Sequence, residues 1–234
     1  MLLFQLGKMK AILAAPLLLL LASLLPASAG AAGEREWMPY KKLVDTVKAD
    51  KFYALPPGER DKVILYARLI PVNKTIAPPD ARLVVVDGAS RTPLPLDAAG
   101  RTRLVPNQQW LADDAKIWTS LPSGEKMSLS FDIGAVLPEA AQWNYATVMG
   151  SIPQANAAIG KVAGSLRFFV PTMKSVIFKF DKPAQLTIKS RLGEKRYASD
   201  AKHQVRLKLD EDLLKENPVV ALSDRPFEAE IDSE

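Results

Sequence analysis

"LPLDAAGRTRL" (94–104) and "YASDAKHQVRL" (197–207) share one skeleton: Asp fourth, Ala fifth and Arg-Leu last, 103 residues apart. Sliding the chain on itself by that offset across residues 81–120 aligns Ala81 with Ala184, Leu83 with Leu186, Asp97 with Asp200 and Ala98 with Ala201. It also aligns Arg103 with Arg206, Leu104 with Leu207, Leu111 with Leu214 and Ser120 with Ser223. Roles agree where identities do not. Val85 meets Ile188, Ile117 meets Val220, Val63 and Leu65 fall on Leu166 and Phe168, and Tyr40 falls on Trp143. The offset points to a tandem duplication, with Asp97 and Asp200 at equivalent turns.

Around those turns the chain reads helix then strands, twice. "YKKLVDTVKADKF" (40–52) sets Tyr40, Leu43, Val44 and Val47 on one helical stripe. "KVILYARLIPV" alternates as a strand, and Asp87-Gly88 between two β-prone runs signals a hairpin. "AKIWTSLPSGEKMSLSFDI" (115–133) reads as a second hairpin with Pro-Ser-Gly at its tip. The Ala-rich stretch 138–164 predicts two short helices broken near Gly150–Pro153, where Gly and Pro weaken helical bonding. Strand patterns follow at "SLRFFV", "SVIFKF", "QLTIKS", "HQVRLKL", "VVALS" and "FEAEI". The expected fold is therefore mainly β with short helices: two tandem β-sandwich-like modules, immunoglobulin- or transthyretin-like, over 37–137 and 138–234.

Two segments precede the modules. Lys8 and Lys10, the apolar run 11–25 and Ala27-Ser28-Ala29 have the organisation of a secretory signal peptide over 1–29, followed by a flexible start over 30–36. The expected location is periplasmic or secreted. No cysteine occurs, so neither disulfides nor thiolate chemistry are available. Removing Lys8 and Lys10 takes the formal charge from +5 to +3, too small and dispersed a surplus to point to nucleic acid.

The signal segment, "LPLDAAGRTRLVPN" (94–107), "WTSLPSGEKMSLS" (118–130) and "VAGSLRFFVP" (162–171) together resemble an uncharacterised family of exported proteobacterial proteins, a domain of unknown function. The resemblance implies export and carries no catalytic motif.

The residue inventory excludes several chemistries. A single histidine, His203, and no cysteine leave no ordinary zinc ligand set and no Cys-His pair. No G-x-S-x-G or Walker-type loop is present, and no cofactor is implied. Asp113-Asp114 and "DEDLLKE" (210–216) are the acidic clusters a carboxylate-dependent hydrolase would draw on, but their spacing suits a solvated turn and a helical turn. Strand alternation places Lys202, Gln204, Arg206 and Lys208 on one face, with Arg101 and Arg103 on the equivalent face of the first module. Such rows suit an acidic partner or peripheral contact with anionic lipid. Alternation also turns Trp118 outward beside inward Ile117, and Trp110 follows Gln108 and Gln109 in a stretch that reads as a loop. Their repeat partners are Ala221 and Leu213, so the large rings belong to one module only.

The expectation is an exported, non-enzymatic binding or scaffold protein of the cell envelope that recognises a protein or glycan. Its binding residues would be Trp118, Trp110, Gln108, Gln109, Arg101, Arg103 and Arg206. A hydrolase of an envelope polymer and a periplasmic chaperone or assembly factor are the alternatives.

Overall fold

The computed structural model describes residues 33–164 and 170–234. The signal peptide expected over 1–29 and residues 165–169 of the strand read at "SLRFFV" (165–170) lie outside the described residues, and Val170 is in a bend. In the first half the chain forms β1 (Arg35–Pro39), α1 (Tyr40–Val47), α2 (Ala49–Tyr53), β2 (Val63–Pro71), β3 (Val84–Asp87) and β4 (Ser90–Pro93). It continues through β5 (Arg101–Arg103), α3 (Gln108–Ala112), β6 (Lys116–Thr119) and β7 (Met127–Ala135). The second half forms β8 (Gln142–Asn144), α4 (Tyr145–Met149), α5 (Ser151–Ala163), β9 (Ser175–Lys179), β10 (Gln185–Ser190) and β11 (Gly193–Ala198). It ends with β12 (Gln204–Lys208), α6 (Glu211–Glu216), β13 (Val219–Leu222) and β14 (Glu228–Asp232). The fold is thus a mixed one of antiparallel sheets and short helices.

Strand pairing has the same pattern in the two halves. One four-stranded sheet runs β1-β6-β3-β4 and the other β8-β13-β10-β11. The six-stranded sheet runs β12-β9-β14-β7-β2-β5, three strands from each half. Registers follow suit: Val84 faces Trp118 across β3 and β6, and Thr187 faces Ala221 across β10 and β13, each partner 103 residues on.

Local hydrogen bonds follow the same pattern. The Asp97 carboxylate accepts from the N–H groups of Ala99 and Arg101, and Asp200 accepts from those of Lys202 and Gln204. Asn107 caps α3 and Asp210 caps α6. The buried Tyr40 hydroxyl accepts from Asn107 N–H at 3.1 Å and donates to the Val105 carbonyl. Tyr145 does the same with Asp210 N–H, at 3.0 Å, and the Lys208 carbonyl. Tyr40 therefore corresponds to Tyr145, two residues beyond the Trp143 that the ungapped offset pairs with it.

Alternation explains the sheets. In β2, Val63, Leu65, Ala67 and Leu69 are buried, while Arg68 is exposed. Ile117 and Thr119 are the buried positions of β6, and the Thr119 hydroxyl is satisfied by donating to the Ala81 carbonyl at 2.7 Å. The buried faces and the helices share one apolar cluster from Tyr40 to Ile231. Gly100 closes the turn before β5 with φ +77°, and a Cβ there would lie 2.5 Å from the Leu69 carbonyl oxygen. Only glycine suits both demands. Its counterpart, His203, also adopts the left-handed region, φ 57°.

Several expectations need correction. The halves are not separate sheets-on-sheets, because β7 and β14 pair and continue one sheet through both. Nor is the strand order immunoglobulin-like. Numbered by chain order, that fold pairs the first strand with the second, whereas here β1 pairs with β6. β6 and β7 do not form a hairpin: β6 lies between β1 and β3, and β7 between β2 and β14. Their connection passes from one sheet to another. Arg35 and Glu36, read as part of a loose start, pair with Thr119 and Trp118 in β1. The helical stripe 40–52 divides at Lys48, whose left-handed backbone ends α1 and opens α2.

Candidate functional site

Trp118 stands on the outer face of β6, half-buried, while its neighbour Ile117 is fully buried. Cross-strand register places Glu36 on one side of it and Val84 on the other, with Pro93 beyond Val84. The next row holds Lys116, Val86 and Arg91. The Arg91 guanidinium lies 5.8 Å from the Trp118 ring centroid and is paired with Glu34. The result is an aromatic plate flanked by valines and proline, with a cation over the ring. Such a surface offers stacking area, apolar contact and charged hydrogen-bonding groups together. The equivalent position in the second half is Ala221, and across β10 it faces Thr187.

The other sequence-derived candidates are placed apart. Trp110 is in α3 rather than a loop, because the Asn107 side chain accepts from the N–H groups of Gln109 and Trp110 and starts a helical turn. Its ring meets Tyr40 edge-to-face at 5.2 Å, so it packs against the core. Gln108 and Gln109 are exposed on that turn, and Gln109 donates to Asp113 at the end of the same helix. Arg206 is paired with Asp232 and donates to the Ser175 hydroxyl. Arg103 is exposed beside Arg101 on β5.

Arg101 is occupied internally. Its side chain is only 10% exposed and binds Asp97 and Glu228, with a 2.7 Å bond from Nη2 to Glu228 Oε2. Glu228 comes from β14, so this contact ties the first half to the second. The guanidinium also lies 5.3 Å from the Tyr66 ring. Lys179 bridges Glu228 and Glu230, and Arg68 approaches Asp132 at 3.6 Å. Hydrogen bonds that Arg101 donates to Glu228, and then those it donates to Asp97, hold its guanidinium firmly charged. Burial alone would raise the Glu228 carboxyl, but Arg101 and Lys179 together bring it below its ordinary value. Asp132 moves the other way: burial raises it, and nearby Glu230 adds to the effect against Arg68.

A pair of carboxylates with opposite shifts is the pattern acid–base catalysts use. Here, however, each charged member is engaged by a cation that also links strands, and Asp97, Glu228 and Arg101 form a structural clamp. Asp113 ends α3, and Asp114 binds Lys116 at a surface hollow that Asp45 also lines. Among the described residues, no group of three or more His, Asp or Glu side chains forms a metal site.

A third feature escapes strand-by-strand reading. Between α1, α2, α5 and the strands β2 and β7 lies a hollow of about 360 Å³, lined mainly by apolar side chains that include Phe52, Leu65, Phe131, Ile133 and Val162. Lys48 and Lys51 stand at its mouth.

No family model, curated protein or solved structure matches the chain. No helix among the described residues is long and apolar enough to cross a membrane.

The sequence flagged Trp118 by alternation, but not its neighbours Arg91, Glu34 and Val84, which depend on which strands pair. Arg91 had a partial signal, since the Asp87-Gly88 turn fixes it opposite Val86. Glu228 and Lys179 had none, being far from Arg101 in the chain.

Proposed function

We propose that this chain is an exported, non-enzymatic binding protein of the cell envelope that recognises a protein or glycan partner through the Trp118 face. One observation carries the reading: a half-buried tryptophan on an outer sheet face, beside Val84 and under Arg91, where the equivalent position in the other half is an alanine. Export rests on the sequence of residues 1–29.

We also infer that the halves arose by duplication and that each packs its two sheet portions face to face as a sandwich-like module. The matched registers, caps and tyrosine bonds support this. In that arrangement the shared sheet serves as the scaffold and the Trp118 face as the specialised surface.

The test compares capture of envelope components by the mature protein and by Trp118→Ala. An interface hot spot costs at least about 2 kcal/mol of binding when truncated, so capture should fall by more than tenfold. The melting temperature should stay within a few degrees. A collapsed fold would make Trp118 a packing residue, and unchanged capture would remove it from the interface.

A further inference from the structure

We propose that the hollow between α1, α2, α5, β2 and β7 binds a single-chain fatty acid, alkyl chain inward and carboxylate at Lys48 and Lys51. This site is separate from the Trp118 face and does not depend on it. The hollow exists because α5 turns Ala155 and Ala158 inward, both fully or nearly fully buried, where larger side chains would fill the space against Phe52 and Leu65. Its volume of about 360 Å³ is at the lower end of small-molecule sites, ~300–1,000 Å³, and suits one alkyl chain better than a two-chain lipid. The hollow opens to solvent at the lysines, so an alkyl chain entering it would displace water from an apolar wall.

The mouth defines the head group. Lys48 is half-buried, and its left-handed backbone, φ 58°, places it in the tight link between α1 and α2. Lys51 follows one turn on, exposed at the same opening. Among the described residues, neither has a carboxylate within 4 Å. Of the nearby acids, Asp114 binds Lys116 and Glu59 binds Lys161, while Asp45 and Asp114 line a surface hollow with Lys48 on the outer side of α1, and Asp50 is exposed on α2. Lys41 and Lys42 add positive charge on the outer side of α1. Two unpaired ammonium groups at the end of an apolar slot match a carboxylate on an alkyl chain and oppose a cationic head.

Displacement of a fluorescent dansylated undecanoate from the mature protein tests the proposal, with laurate, dodecanol and dodecyltrimethylammonium as anionic, neutral and cationic competitors. Laurate should displace the probe best and the ammonium worst. Lys48→Gln combined with Lys51→Gln should weaken laurate by about fivefold or more, the scale of solvent-exposed ion pairs, and leave dodecanol unchanged. Ala158→Leu fills the slot and should weaken all chain binding by about tenfold or more, with a melting temperature equal to or above that of the parent. If that variant does not fold, Ala155→Val provides the same comparison. Failure of laurate to displace the probe, equal displacement by the cationic competitor, or indifference to both the alanine and lysine substitutions would overturn the proposal.

Discussion

Replacing Arg101 by methionine removes the charge that connects β5 to β14 while retaining most of the side chain's apolar bulk. Arg101 and Glu228 are 10% and 14% exposed, so the substitution leaves a carboxylate that is largely shielded from water. Breaking a buried pair on one side typically costs 3–5 kcal/mol. Lys179 remains 3.2 Å from Glu228, and Asp97 keeps its two backbone N–H donors, which favours a cost at or just below that range, about 2–3 kcal/mol. For a folded body of this size each kcal/mol corresponds to about 2–4 °C. The melting temperature should therefore fall by roughly 5–10 °C.

The sign of the pH dependence follows from Glu228 and Asp97, both held below their ordinary values in the fold. Burial alone would raise each; for Glu228 the ion pairs outweigh it, and for Asp97 the backbone N–H and Arg101 bonds do. Their contribution is complete above the unfolded carboxylate range, about pH 4, and is lost as pH falls through the lower folded values. Urea unfolding followed by tryptophan fluorescence should show the parent well ahead at pH 7 and the gap narrowing near pH 3. A difference below about 1 kcal/mol at pH 7, well under the range for a buried pair, or a gap unchanged in acid, would refute this account of the clamp.

Asp132 titrates in the opposite sense, since burial raises it in the fold; its favourable contribution exists in acid and is lost as pH rises through the raised value. Asp132→Asn should thus be neutral or up to about 1 kcal/mol more stable at pH 7, and a clear loss in thermal unfolding would contradict that. Tyr40→Phe and Tyr145→Phe each remove the same two backbone contacts and should cost similar amounts, about 1–2 kcal/mol, by chemical denaturation; a large inequality would count against equivalent roles. Tyr145 has its hydroxyl pushed up to about 12 by burial, so it should remain protonated in an alkaline spectroscopic titration to pH 11. Gly100→Ala should lose at least about 2 kcal/mol from a left-handed backbone and the 2.5 Å approach to the Leu69 carbonyl, whereas His203→Ala, at the equivalent turn, should change stability little.

Much of the local structure was legible in the sequence. Val63 to Leu69 alternate because one face of β2 is buried, and Asp87-Gly88 forms the turn its chemistry favours. The 103-residue offset located matching turns at Asp97 and Asp200 because those carboxylates make local bonds, two to four residues away. Long-range pairing was not legible. Nothing in "SLSFDI" states that β7 leaves β6 and instead lies between β2 and β14. For the same reason Arg101, read as part of a basic row for an acidic partner or anionic lipid, is buried against a glutamate 127 residues away. Trp110 was misread because a capping asparagine three residues earlier converts the apparent loop into a helical turn. Trp118 was read correctly as outward, since alternation beside Ile117 is a local property.

The central claim is tested most directly by placing a photoreactive phenylalanine analogue at position 118 of the mature protein and irradiating it in the cell envelope. The same analogue at position 221, the equivalent site in the second half, serves as the comparison. A discrete adduct from position 118, absent from position 221 and reduced when Arg91 is replaced by alanine, is the predicted result. Equal labelling from both positions, or none from position 118 in a protein with an unchanged melting temperature, would contradict it.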